Sequence, residues 1–353
     1  MADSHKLSAM SHLPFATHDM PTPIRLLSLG PVDWLRTQSV YHALAETMTA
    51  DSPDTIILTQ PLRPYVCIGY HQDLYAVLDR AACARMHLPI VRRRVGGGAT
   101  YLDVNQLFYQ CIFHHSRAPA TVGAVYARLL AAPVAALRAL GLNAELCGEN
   151  EIEVGGDPGG RPGKRIAGIG GGRIGEAAVV VGNLLFDFNY NAMTRAWRVP
   201  SEAFRRLASE ALRDRLTTLW MELPRAVSPD EVQALLIAEF ARVLNRPVER
   251  GELTTAELQK VEELDKRLVS YRWLSLHSDG AKPMTALKIS RGVFIRAEEA
   301  DVNGRAIRAS FCERDGRIER ALLESHPECD WGDVEEKLRG MKVKEWVQAI
   351  KTL

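Results

Sequence analysis

Three consecutive glycines, Gly96, Gly97 and Gly98, stand between an arginine cluster and an apolar run in RRRVGGGATYLDVNQLFYQ, residues 92 to 110. Residues without side chains let backbone N–H groups close on a ligand, and neighbouring guanidinium groups fork onto a phosphate or carboxylate. The flanking segments read as strands, Ile90 to Arg93 entering the turn and Leu107 to Phe113 leaving it. An anion-binding turn between two strands is neither a Walker phosphate loop, which needs GxxxxGK then Ser or Thr, nor the strand-to-helix turn of a dinucleotide fold.

The chain of 353 residues is long enough for two domains. Its formal net charge of +1 argues against long-range attraction to DNA or an anionic membrane, so neither partner is expected and anion recognition must be local. Six cysteines, at 67, 83, 111, 147, 312 and 329, lack CxxC spacing and read as reduced, mostly buried thiols. The first 22 residues hold no apolar core of signal-peptide length, and no later stretch reads as a membrane span. The expectation is a disordered arm over residues 1–23, a cytoplasmic location and a monomer.

Helical spacing runs from Trp34 to Met48, followed by a strand from Thr55 to Thr59 that Pro61 and Pro64 break. A short strand from Tyr65 to Gly69 and a helix from Asp73 to Met86 come next, and Thr121 to Leu140 is a long helix stopped by Gly141. Residues 155 to 175, GGDPGGRPGKRIAGIGGGRIG, contain ten glycines and four basic residues, which reads as a loop ordered by ligand. Ala177 to Phe188 is strand-like, and helices are expected over Ser201 to Leu212, Asp230 to Leu244 and Thr254 to Leu268. From Ala286 the pattern becomes strands with an Asp315-Gly316 hairpin and terminal helices, an α+β unit of about 70 residues.

Lys164, inside the glycine-rich segment, reads as a mobile point charge for phosphate or carboxylate. A solvated loop lysine has the same sequence, but a second anion-binding turn at residues 96 to 98 favours a site. Arg92 and Arg94 should share one strand face and Arg93 the other, so at least one of the three is scaffold. Asp103 can orient an arginine or meet a ribose; Asn150 and Glu151 can hold magnesium or adenylate, though isolated residues of these types also form turns. Cys147 is the cysteine in a polar setting, and a lowered pKa would make it an acyl-accepting nucleophile. The histidines have no HExxH spacing, so no metal beyond ATP-bound magnesium is expected.

With these residues placed, the chain resembles the lipoate-protein ligase A family, within the biotin and lipoyl protein ligases. The family's first motif, RRxSGGGAVYHDxGN, is similar to Arg93 through Asp103; its second, an Asn-Asp pair followed by GRKxxGS, to Asn150-Glu151 and Gly163 through Gly168; its third, HHGTLL, to Val181 through Leu185. The likeness covers residues 24 to 350. It implies an α+β fold, a mixed and largely antiparallel sheet flanked by helices, with a catalytic domain over 24–270 and a small C-terminal α+β accessory domain with its connector over 271–353.

The resemblance implies a two-step reaction. ATP and lipoate give lipoyl-AMP, and a lysine of a lipoyl-domain acceptor attacks it to form an amide. Lys164 is the implied catalytic residue. The implied nucleotide-binding set is Arg93, Arg94, Gly96, Gly97, Gly98, Tyr101, Asp103, Asn150, Glu151, Gly168, Gly182 and Asn183. Tyr70, Arg93, Gly98 and Lys164 are the implied substrate contacts, and Asn150 and Glu151 the magnesium contacts. The acceptor would be a glycine-cleavage H-like protein, a dehydrogenase E2 domain or a lipoate-binding protein of sulfur metabolism.

Three departures stand out. Leu102 replaces the histidine of the first motif, Glu151 replaces aspartate, and Val181-Gly182-Asn183 replaces His-Gly-Thr; the insertion before Lys164 suggests a longer lid. The alternative is an octanoyl or lipoyl transferase of the same fold acting through Cys147, and a non-catalytic lipoyl carrier is the non-enzyme reading. A biotin ligase is disfavoured because no GRGRxGR run occurs.

Overall fold

The architecture, taken from a computed structural model, is described for residues 22–156, 162–278 and 283–351. The expected N-terminal arm and the middle of the glycine-rich insertion lie outside the described residues. The central sheet has six strands in the order Ala167–Ile174, Ala177–Leu185, Gln106–His114, Thr55–Pro61, Ile24–Val32 and Val248–Arg250. The first four pair antiparallel, while Ile24–Val32 runs parallel to both of its neighbours, so the sheet is mixed and largely antiparallel. Both Thr55–Pro61 and Gln106–His114 are buried along their whole length, as expected for central strands covered on both faces.

One face is covered by Val122–Ala139 and Pro229–Leu244, whose Leu129, Leu130, Leu236 and Phe240 join Ile56, Leu58 and Tyr109 in one cluster. Val122–Ala139 has 18 residues and is apolar enough to cross a membrane by length and composition, a property the sequence reading did not give it. The face bearing Leu129, Leu130, Ala132 and Leu137 packs into the core. On the other face, Arg36–Glu46 and Thr255–Leu268 contribute Tyr41, Leu44, Val261 and Leu264 beside Ile57 and Ile112. Thr255–Leu268 begins with a capping box in which Thr254 and Glu257 satisfy each other's backbone N–H groups.

The helix expected from Asp73 to Met86 is two helices, Leu74–Val77 and Arg80–Arg85. Asp73 and Asp79 each cap one, and Leu78 between them is extended and bridges to Trp197. A larger difference concerns residues 155–175. Ala167–Ile174 is a full edge strand in register with Ala177–Leu185, so this half of the glycine-rich segment is sheet and not the expected loop. Its glycines admit close neighbours: a Cβ on Gly171 would stand 2.7 Å from the Tyr126 hydroxyl, and one on Gly170 3.1 Å from the Gly96 carbonyl oxygen.

The C-terminal region folds as an antiparallel sheet of Ala286–Ser290, Val293–Val302, Arg305–Arg314 and Arg317–Ser325, with the Asp315-Gly316 hairpin at positive φ. Phe311, Ile318 and Trp346 form its own small core, whereas Ile289, Val293, Ile295 and Cys312 pack with Phe204, Leu207 and Leu212 of the helix Glu202–Arg215. This sheet therefore shares apolar surface with the body that carries the central sheet.

Candidate active site

A cavity of about 440 Å³ lies where the glycine turn, the two glycine-bearing strands of the central sheet and the C-terminal strand Ala286–Ser290 meet. Its apolar wall, formed by Val77, Leu185, Phe188, Met193, Trp197, Leu212, Leu216 and Ile289, belongs to a single hydrophobic cluster. Its polar lining includes Arg93, Gly97, Gly98, Asn150, Glu151, Arg165, Asn183 and Lys288. One site thus offers room for an apolar chain and charged groups for a polar head.

The turn is shaped by local constraints. The strands Ile90–Arg92 and Thr100–Leu102 flank Tyr65–Ile68, so residues 93 to 99 must pass over the end of that central strand. Gly69 sits at the crossing, where a Cβ would come 2.0 Å from the Gly97 carbonyl oxygen, and Gly97 holds φ +102°. Arg93 fixes the turn from inside. Its guanidinium donates to Gly96 O at 2.8 Å and to Gly98 O at 2.9 Å, so this arginine is occupied with turn carbonyls although it lines the cavity. Arg92 is the scaffold arginine, fully buried and donating to the carbonyls of Tyr70, Gln72 and Leu274 at 2.7, 2.5 and 2.6 Å.

Several implied residues are not brought to the cavity. Arg94 pairs with Glu46 at 2.9 Å, within a network that also includes Lys260 and Arg267. Tyr101 lies on the opposite face of the strand Thr100–Leu102 from the two residues that line the cavity, and Asp103, just past the strand, is likewise absent from the lining. Gly96 meets the backbone of Gly170 and Gly171 instead. Tyr70 joins a ring cluster with His71, His277 and Trp273. Lys164 is half-buried and borders no part of this cavity; its neighbour Arg165 does.

Arg165 is the cation the sequence reading missed. Lys164 and Arg165 pair with Val154 and Glu153, and adjacent residues of a strand point to opposite faces. Burial pulls the Arg165 guanidinium below its ordinary range, and the nearby Glu151 and Glu153 carboxylates oppose that shift. Its Nε makes no hydrogen bond. The signal was in the motif itself: in GRKxxGS the lysine is third, and in Gly163-Lys164-Arg165 the third residue is the arginine.

Asn150, Gly168, Gly182 and Asn183 all line the cavity. Asn183 accepts from Gly168 N at 2.7 Å and donates to Gln106, binding three strands together, and Gly182 leaves space for the Tyr109 ring, which a Cβ would meet at 2.3 Å. Glu151 is buried, with one carboxylate oxygen 2.9 Å from Lys288 Nζ and the other accepting from Arg291 N at 2.9 Å. Both oxygens therefore already have a partner on the C-terminal sheet. Leu102 and Val181 present methyl groups to the cavity where the resembling motifs have histidines.

Cys147 is absent from the cavity lining. Burial, together with Glu153 and Glu145, pushes its thiol up to about 11, the opposite of an activated nucleophile.

The sequence model of the lipoyl protein ligase A/B catalytic domain matches residues 34–241. An octanoyltransferase LipM from Moorella thermoacetica is 24% identical over 273 residues, which cover 71% of this chain and 97% of that protein. A bipartite archaeal lipoate protein ligase from Thermoplasma acidophilum, described together with its E2 lipoyl domain, superposes with a TM-score of 0.65 at 24% identity, over 72% of this chain and 97% of the other. A lipoate-protein ligase A solved with ATP gives a TM-score of 0.60 at 22% identity, over 72% and 99% of the two chains. The chain belongs to the lipoyl protein ligase A/B catalytic domain family, whose members transfer lipoyl or octanoyl groups.

Proposed function

We propose that this member of the lipoyl protein ligase A/B family transfers an octanoyl or lipoyl group from an activated donor to the lysine amine of a lipoyl-domain protein. The observation that carries the reading is the two-sided cavity, a continuous apolar wall for the acyl chain beside the Arg165 cation. As the amine attacks the acyl carbonyl, negative charge develops on oxygen. A fixed guanidinium in a partly dry site stabilises that charge far better than water does. Arg165 stays protonated throughout and is therefore an electrostatic and positioning group, not a base. Residues 24–270 would be the catalytic unit and 271–353 the accessory unit that closes one side of the cavity.

The octanoyltransferase relative supports octanoyl transfer as the first reading, for which a thioester is a suitable activated donor. Direct transfer to the acceptor amine fits better than a cysteine relay, because Cys147 lies off the cavity and holds its proton. ATP-dependent ligation is the second reading, supported by Lys288, a further cation that the accessory strand brings to the cavity and that suits a phosphate. Purified protein and a lipoyl-domain acceptor are incubated with octanoyl-acyl carrier protein alone, or with ATP, magnesium and free octanoate or lipoate, and acceptor mass is followed. Acylation without ATP, retained in Cys147→Ser, supports direct thioester transfer; acylation only with ATP supports ligation. An unmodified acceptor under both regimes overturns the proposal.

A further inference from the structure

A second group of side chains stands at the other end of the strands that build the cavity. His114 pairs with Ala177 in the ladder and donates from its backbone to none of the cavity; instead its N–H goes to Asp54 at 3.0 Å, while His115 N donates to Glu176 O at 2.8 Å. The sheet thus fixes the backbones of His114, His115 and Glu176 together. His115 Nε2 lies 2.6 Å from Glu176 Oε2, His114 Nε2 lies 3.9 Å from the same oxygen, and one ligand atom from each residue falls within 4.8 Å of the others. His114 is buried, and its Nδ1 is 2.7 Å from Ser116 Oγ. With Nδ1–H donating to that hydroxyl, the Nε2 lone pair faces the group, and an outer hydrogen bond of this kind orients a metal-ligating imidazole.

We propose that His114, His115 and Glu176 bind a divalent transition-metal ion, zinc, through two imidazole nitrogens and one carboxylate oxygen, with water as the fourth ligand. Zinc–nitrogen bonds of about 2.0–2.1 Å place tetrahedral ligand atoms roughly 3.3 Å apart, so the 2.6 Å contact opens slightly and the 3.9 Å one closes. Two contacts compete. Ser116 N donates to His114 Nδ1 at 3.3 Å, a longer bond that the ligating tautomer gives up, and Arg173 reaches the other Glu176 oxygen at 3.7 Å from an exposed position. The ion would tie together the ends of two central strands and play no part in acyl transfer.

The full chain, stripped of metal with a chelator, is titrated with zinc against a chromophoric competitor, and in parallel its melting temperature is followed with and without zinc. One equivalent should bind, raising the melting temperature. In His115→Ala and Glu176→Gln, at partly exposed side chains, affinity should fall at least about tenfold and the zinc-induced rise should shrink with it. Absence of zinc binding in the natural chain, or unchanged affinity in both variants, overturns the proposal.

Discussion

Two adjacent basic residues stand differently to the cavity. Lys164 and Arg165 differ by one place in sequence, yet only Arg165 borders the cavity, and its charge is held by Glu151 and Glu153. Arg165→Ala should lower kcat/KM for acceptor acylation about 100-fold, the usual loss for one transition-state donor, whereas Lys164→Ala should change it less than about twofold. Arg165→Lys, which keeps the charge but loses the planar fork, should fall between them. Initial rates by mass spectrometry of the acceptor decide this, and equal losses at 164 and 165 would contradict the division.

His42 sits behind the same turn. Its Nδ1 faces Gln38 O at 2.6 Å, and Nε2 accepts from Arg94 N at 2.9 Å, so the buried ring is neutral; desolvation lowers its pKa to about 4. The unfolded chain takes up a proton near 6.5 that the folded chain refuses until about 4. The stabilisation is complete above pH 6.5 and declines as pH falls toward 4, by up to about 1.4 kcal/mol per unit. Urea midpoints measured across that window should fall with pH, and His42→Gln should flatten the slope.

At the level of elements, the glycine turn depends on positions with different tolerances. A Cβ on Gly97 would meet Arg93 Nη2 at 2.6 Å in a backbone already at φ +102°, while Gly98 has open space around it. Gly97→Ala should cost about 1–3 kcal/mol in urea unfolding and impair acylation, and Gly98→Ala should leave stability nearly unchanged. Comparable losses in the two variants would mean that the turn is not held by that close approach.

Much of this was legible in the chain. Apolar, strand-like composition marked Thr55 to Thr59 and Ala177 to Phe188, within or overlapping the strands Thr55–Pro61 and Ala177–Leu185, and cap residues such as Ser228 and Thr254 marked helix starts, because these signals are local. The glycine-rich strand Ala167–Ile174 was hidden, since glycine has no side chain to show alternation and its place is fixed by Tyr126 and the Gly96 turn, distant in sequence. Arg93, Gly97 and Gly98 were readable as cavity residues; Arg94 was not distinguishable from them, because its partner Glu46 comes from a separate helix. Trp197 and Met193, with no motif around them, reach the cavity only through tertiary packing.

Across the whole molecule, the decisive joint is between Glu151 and the C-terminal sheet. One buried carboxylate accepts from the half-exposed Lys288 ammonium and the Arg291 backbone N–H, and removing it unties both from the body that carries the central sheet. Glu151→Ala should accelerate hydrogen exchange across Ala286–Ser290 and Val293–Val302 by about tenfold or more, while Gln106–His114 keeps its protection. Exchange that rises equally in both regions would indicate global destabilisation instead of a loosened joint.

That the cavity borrows Met284, Leu287, Lys288 and Ile289 for its far wall also sets a timetable for synthesis. The turn and both glycine strands emerge from the ribosome some hundred residues before that wall. A nascent chain halted between Leu185 and Met284 therefore carries the recognisable motifs with an open trough in place of a cavity. Capacity to hold an acyl chain should arrive abruptly, late in translation, and not in proportion to the length made.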